Sequence, residues 1–271
     1  MVRALCLVPV MLVLGLQTAF ADARMSVLTD VMRLAEVTRI LSTEGIEYAR
    51  DLNDEMLGGQ GGVGWEAQVR AIYDPDRMAE AVRTELESAL QGEMLEQVIA
   101  FYASDLGGRI VSLENSARVA MQDADIEEAA RARHAQLDGT DDARFDLISR
   151  YIDAGDMISR NVTSAMNSNL YFLRGLVDGK AMEMSEEDML ADVSGDMEEI
   201  RQDTISWLFG YLLLAYHPLD QGELERYIDF ARTEAGVALN RALFDGFGKA
   251  YDDISYALGR AVALNMAAQD I

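Results

Sequence analysis

The chain has 271 residues, 50% of them apolar, a net charge of −24 and a single cysteine. This length suits one large or two small domains with a sizeable core. The charge repels phosphate backbones and anionic lipid and argues against nucleic-acid binding; one cysteine leaves no intrachain disulfide and no thiolate metal site.

Met1-Val2-Arg3 is a short basic start, Ala4 to Phe20 is an apolar run, and Ala19-Phe20-Ala21 is a small-x-small site. This is the layout of a secretory signal peptide over residues 1–21, and it predicts a periplasmic or secreted protein. The run is short for a membrane anchor, which needs ~20 apolar residues. No membrane span is expected after cleavage. Cys6 lies inside the run, away from the end where a lipid-attachment cysteine would sit.

Helical spacing dominates the remainder. Leu28, Val31, Leu34, Val37 and Leu41 form one stripe with steps of three and four. Residues 58–64 carry five glycines and read as a loop. They lack the lysine and preceding strand of a phosphate loop. Asp74-Pro75 is a helix start, with Asp as N-cap and Pro at the first helical position. Met78, Val82, Leu86 and Leu90 mark an amphipathic helix that stops at Gly92. Leu95, Ile99, Tyr102, Leu106, Ile110 and Leu113 then form a second long stripe. Residues 123–140, with Glu127, Glu128, Arg131 and Arg133, read as a charged helical connector broken at Asp138-Gly139-Thr140-Asp141.

In the second half Ser185 with Asp188 resembles a helix cap. Trp207 to Tyr216 is apolar nearly all round, so that helix is expected to be buried, between the halves or in a subunit interface. Trp207, Phe209 and Tyr211 are its candidate ligand or interface residues. His217-Pro218 ends it. The fold class is all-α: a tandem repeat of a helical unit packed as a multi-helix bundle, with repeats at 24–122 and 141–268.

The repeat rests on a motif. Leu95-Glu96-Gln97-Val98-Ile99-Ala100-Phe101-Tyr102-Ala103-Ser104-Asp105-Leu106-Gly107 aligns with Leu224-Glu225-Arg226-Tyr227-Ile228-Asp229-Phe230-Ala231-Arg232-Thr233-Glu234-Ala235-Gly236. Leu, Glu, Ile, Phe and Gly coincide, and Ser pairs with Thr. Read as one long helix, the motif puts Phe101 and Ser104 on one face. A mid-helix hydroxyl can bond back to the carbonyl four residues earlier, and the glycine permits a close helix approach or a kink. Phe101, Tyr102, Ser104, Gly107, Phe230, Thr233 and Gly236 are therefore candidate key residues, mainly structural, with a shared polar notch at the hydroxyls as the functional alternative.

Phe101, Tyr102, Ser104, Gly107 and Ile110, after an acidic helix start, resemble the signature of DUF2059, a bacterial secreted family of unknown function. The second copy is degenerate, with Ala231 in place of Tyr and Leu239 in place of Ile. The resemblance implies a helical fold and an envelope location. It implies no activity, because the family has no assigned chemistry.

Catalytic constellations are not found. The histidines, His134 and His217, lack metal-ligand spacing, and no Gly-x-Ser-x-Gly occurs. Met182, Met184 and Met189 cluster and are weak Cu(I) candidates through their thioethers; the same residues also fill cores. No cofactor is expected. The preferred reading is a non-enzymatic binding or interaction module of the cell envelope, with an unknown protein or small-molecule partner and a homo-oligomer left open. The alternatives are a carrier of a small apolar ligand or copper in a cavity between the halves, and, less favoured, a hydrolase.

Overall fold

The computed structural model describes residues 22–269; the expected signal peptide lies outside them. The described chain is helical, and no strand occurs among these residues. Helix α1 covers 22–31 and α2 Leu34–Leu57. The first stripe is thus split, because Arg33 turns left-handed at φ 51. The loop after α2 is shorter than the glycine run, since α3 begins at Gly62 and continues to Ile72. Trp65 anchors α3 by donating its indole N–H to the Ala49 carbonyl of α2 at 3.1 Å.

Helix α4, Pro75–Ala89, starts where expected: the Asp74 carboxylate accepts from the Asp76 and Arg77 amides at 2.9 and 3.3 Å. The second stripe is not one helix. It divides into α5, Gly92–Tyr102, and α6, Asp105–Ala120. Next come α7 (Ala124–Leu137), α8 (Ala143–Ala154) and α9 (Met157–Asp178). After them lie α10 (Glu186–Gly195) and α11 (Met197–Ala215). The last two are α12 (Gln221–Ala231) and α13 (Glu234–Gln269). Ser185 caps α10 by accepting from the Asp188 amide at 3.1 Å. Asp220 and Glu223 form a reciprocal capping box on α12.

Helix α13 has 36 residues, so it runs ~54 Å at 1.5 Å per residue. It is the spine, and α9 and α4 lie along it. Helix α11 packs on α7 and α6. The two segments α4–α5–α6 and α11–α12–α13 are therefore interlocked: the first helix of each lies on the last helix of the other. The break at Arg33 has a packing consequence, since Leu28 and Leu34 both enter the core under α4 and α5.

Every core cluster draws on both halves of the chain. Ile110 and Ala117 meet Ile148, Leu212 and Ile228. Trp65 and Met78 meet Leu176, Ile254 and Leu258. Leu28 and Val98 meet Ala235 and Leu239. The charged segment 123–140 is itself packed: His134 is buried and stacks on Phe209 of α11 at 4.9 Å. Burial pushes the His134 imidazole below its ordinary value, toward the neutral form. Among the described residues no helix is long and apolar enough to cross a membrane.

Candidate functional site: a carboxylate in a tyrosine-walled cavity

The repeated motif builds a corner. Helix α5 ends at Tyr102, and Ser104 is the N-cap of α6. Its hydroxyl donates to the Phe101 carbonyl at 2.5 Å and accepts from the Gly107 amide at 3.1 Å. Thr233 repeats this between α12 and α13, donating to Phe230 at 2.7 Å and accepting from Gly236 at 3.0 Å. A Cβ on Gly107 would stand 2.2 Å from the Phe101 carbonyl oxygen, and one on Gly236 2.2 Å from that of Phe230. The hydroxyls thus satisfy amides at a helix start, and the glycines admit the preceding carbonyl. This corrects the mid-helix reading: the tight corner redirects the chain while the apolar spacing continues through it. The two corners meet face to face, since the Phe101 and Phe230 rings stack at 3.9 Å and 4°. Neither hydroxyl bonds to His217, whose position beside α7 is elsewhere.

Behind these rings lies a carboxylate that the motif does not contain. Glu114 sits on α6 and borders two adjoining cavities of about 220 and 440 Å³. Its Oε1 accepts from the Tyr216 hydroxyl at 2.6 Å and from the Tyr227 hydroxyl at 3.2 Å. Tyr151 donates to the Tyr227 hydroxyl at 2.7 Å. Tyr211 donates to the Glu114 backbone carbonyl at 3.2 Å. These tyrosines come from α8, α11, the turn after it, and α12, so residues distant in sequence converge on one side chain. Among the described residues no hydrogen bond falls on Glu114 Oε2.

The electrostatics follow from the enclosure. Desolvation pushes the Glu114 carboxyl above its ordinary value, and the bonds from Tyr216 and Tyr227 offset part of that. Part of the Glu114 surface is accessible, but it borders the cavities and is surrounded by protein. Burial, and then the Glu114 charge, pushes Tyr151, Tyr216 and Tyr227 well up, so they remain neutral donors. Asn115, 7% exposed, borders both cavities, and its Nδ2 makes no hydrogen bond within the protein.

Arg118 closes one side of the larger cavity. Glu44 of α2 holds it through Nε at 2.8 and 3.0 Å and through a terminal nitrogen at 2.6 Å. Its guanidinium lies 4.8 Å from the centre of the Trp207 ring. Trp207 stacks on Tyr211 at 5.1 Å, and both border this cavity. Phe209 does not: it faces α7, stacked on His134 and Phe145. Positions 207 and 211 share a helix face and 209 lies opposite.

The copper candidates are dispersed in role. Met182 packs partly against the core of α2, α3 and α13, Met189 is buried, and Met184 is half-buried. Among the described residues no group of three or more His, Cys, Asp or Glu side chains could hold a metal ion. Chemically, then, the site offers an unfilled carboxylate oxygen and an unbonded amide inside an apolar, aromatic space. Such a space suits a small molecule held by a few polar contacts.

Residues 76–136 match the family model described as "Uncharacterized protein conserved in bacteria (DUF2059)". That segment is similar to the DUF2059 family. It contains the first corner and, from the site, Tyr102, Glu114, Asn115 and Arg118. Tyr151, Tyr216 and Tyr227 lie beyond the match, so the ring around Glu114 is completed from outside the matched segment. No curated protein and no solved structure matches the chain.

Proposed function

We propose that this chain is a non-enzymatic binding protein of the bacterial cell envelope, holding a small amphipathic molecule in the cavity around Glu114. The observation that carries this reading is the cavity pair that meets at Glu114 and Asn115. Burying the Asn115 amide with Nδ2 unpartnered costs ~1–3 kcal/mol, a cost that a ligand completing its hydrogen bonds offsets. The hydroxyls of the repeated corner are already used by backbone groups, which leaves the motif a structural role. The basic, apolar and small-residue layout of 1–21 supports the envelope location. The matching corner geometry supports the tandem origin of the two segments, with 24–122 and 141–268 as the repeats.

The test is native mass spectrometry of protein purified from its own cells. The expected result is a stoichiometric non-covalent mass that disappears in Leu243→Trp, where the new ring fills space bordered by both cavities. Bare wild-type protein, with no added mass under gentle ionisation, would overturn the carrier reading.

A further inference from the structure

We infer that the ligand is an organic cation: an apolar body with a protonated primary amine, seated so that the ammonium meets Glu114. This rests on the binding-protein reading above and specifies its ligand class.

The polar groups of the cavity are unequal. Glu114 Oε2 is an acceptor without a donor, set in a space walled by tyrosine rings. An ammonium donates to a carboxylate in a charge-assisted bond, and the faces of Tyr and Trp rings attract it as well. The cation bordering the larger cavity, Arg118, is held on three contacts by Glu44 and lies over Trp207. Glu44 offsets its charge through Nε and one terminal nitrogen, which weakens it as a seat for an anionic head. A carboxylate ligand would instead place like charge beside Glu114. Asn115 adds a second contact, because its buried side chain has no partner for Nδ2 and can turn an amide oxygen or nitrogen to the head group.

The approach has the same sign. A surface recess of about 600 Å³ adjoins the larger cavity and shares Ser164, Phe244 and Gly248 with it. Its rim carries Glu85, Asp156, Asp245 and Asp252 against Arg160 and Lys249. Lys249 is paired with Glu85. With a chain charge of −24 behind it, this rim concentrates cations and repels anions. The apolar remainder of the wall, including Leu243 and Phe247, accommodates the body of the ligand.

Titration calorimetry with three probes of equal body, n-hexylamine, n-hexanol and n-hexanoate, tests this at neutral pH. The expected result is n-hexylamine binding at least about tenfold tighter than n-hexanol, with n-hexanoate weakest. Glu114→Gln should abolish the amine preference, bringing the affinities of n-hexylamine and n-hexanol together. The wild-type comparison needs no variant, so it stands even if Glu114→Gln folds poorly. Equal binding of amine and alcohol would overturn the cation assignment and leave the cavity reading intact. The same holds for an amine preference that survives in folded Glu114→Gln. Binding of none of the three would overturn the assignment, and bare protein in the native spectrum would then remove the carrier reading with it.

Discussion

Gly259→Ala destabilises the protein by about 3 kcal/mol, whereas Gly248→Ala on the same helix stabilises it by up to ~1 kcal/mol. The opposite signs come from what each new methyl meets. At Gly259 a Cβ would lie 2.2 Å from the Phe172 carbonyl oxygen and 3.1 Å from Gly175 Cα, all backbone of α9. Backbone has no rotamer to yield, so the helices must separate. Gly175 answers from the other side, where a Cβ would stand 2.4 Å from the Tyr256 carbonyl oxygen. At Gly248 a Cβ meets nothing within 4 Å, and only the helical preference of Ala over Gly remains. Thermal melts read the pair as shifts of roughly 6–12 °C down for Gly259→Ala and a few degrees up for Gly248→Ala. A wild-type melt for Gly259→Ala would show that α9 and α13 are not in contact there.

The second large effect lies at the corners. Gly107→Ala and Gly236→Ala each cost about 2–3 kcal/mol, since either methyl collides with the carbonyl of its own motif phenylalanine. Relief requires opening the corner, which moves Phe101 or Phe230 out of their 3.9 Å stack. Because both substitutions disturb one ring pair, the double variant should lose less than the sum of the two. Urea unfolding of the four proteins measures this. Strict additivity would mean that the corners are independent and the stack contributes nothing.

Much of the fold is legible in the sequence where the signal is local. Asp74-Pro75 and Ser185 cap helices because a side-chain oxygen reaches an amide two or three residues on, whatever the rest of the chain does. The corners are different. Leu95 to Leu113 keeps helical spacing straight through the break, and it is the meeting of Phe101 with Phe230 that gives the bend its packing. Glu114 is hidden by number, as one of 47 acidic residues. What marks it is position: it stands three and four residues after Val111 and Ile110, both buried, on the face that a charge ought to avoid. From Trp207 onward helix α11 is apolar nearly all round, so its sequence does not say which of Trp207, Phe209 and Tyr211 borders a cavity. The α9–α13 crossing was readable in principle: Gly175 and Gly179 are spaced four apart, as are Gly259 and Ala263, and a Cβ on Gly179 would lie 2.3 Å from that of Ala263.

Glu114 is enclosed between helices from both halves of the chain, and its ionisation is the most direct measurement of the site. Burial raises the folded Glu114 pKa above the ordinary 4.5. The folded state therefore keeps a proton that the unfolded chain has released. The stability this group contributes is fully present below the ordinary value and is lost as pH rises through the raised one. Gln at this position keeps an acceptor for Tyr216 and Tyr227 and cannot ionise. Stability of wild type and Glu114→Gln, measured side by side from about pH 4.5 to about pH 7.5, isolates the group. Glu114→Gln is expected to gain on wild type as pH rises. A difference that stays constant across the range would contradict it, because Glu114 would then titrate as a solvated carboxyl and the enclosed site would not exist.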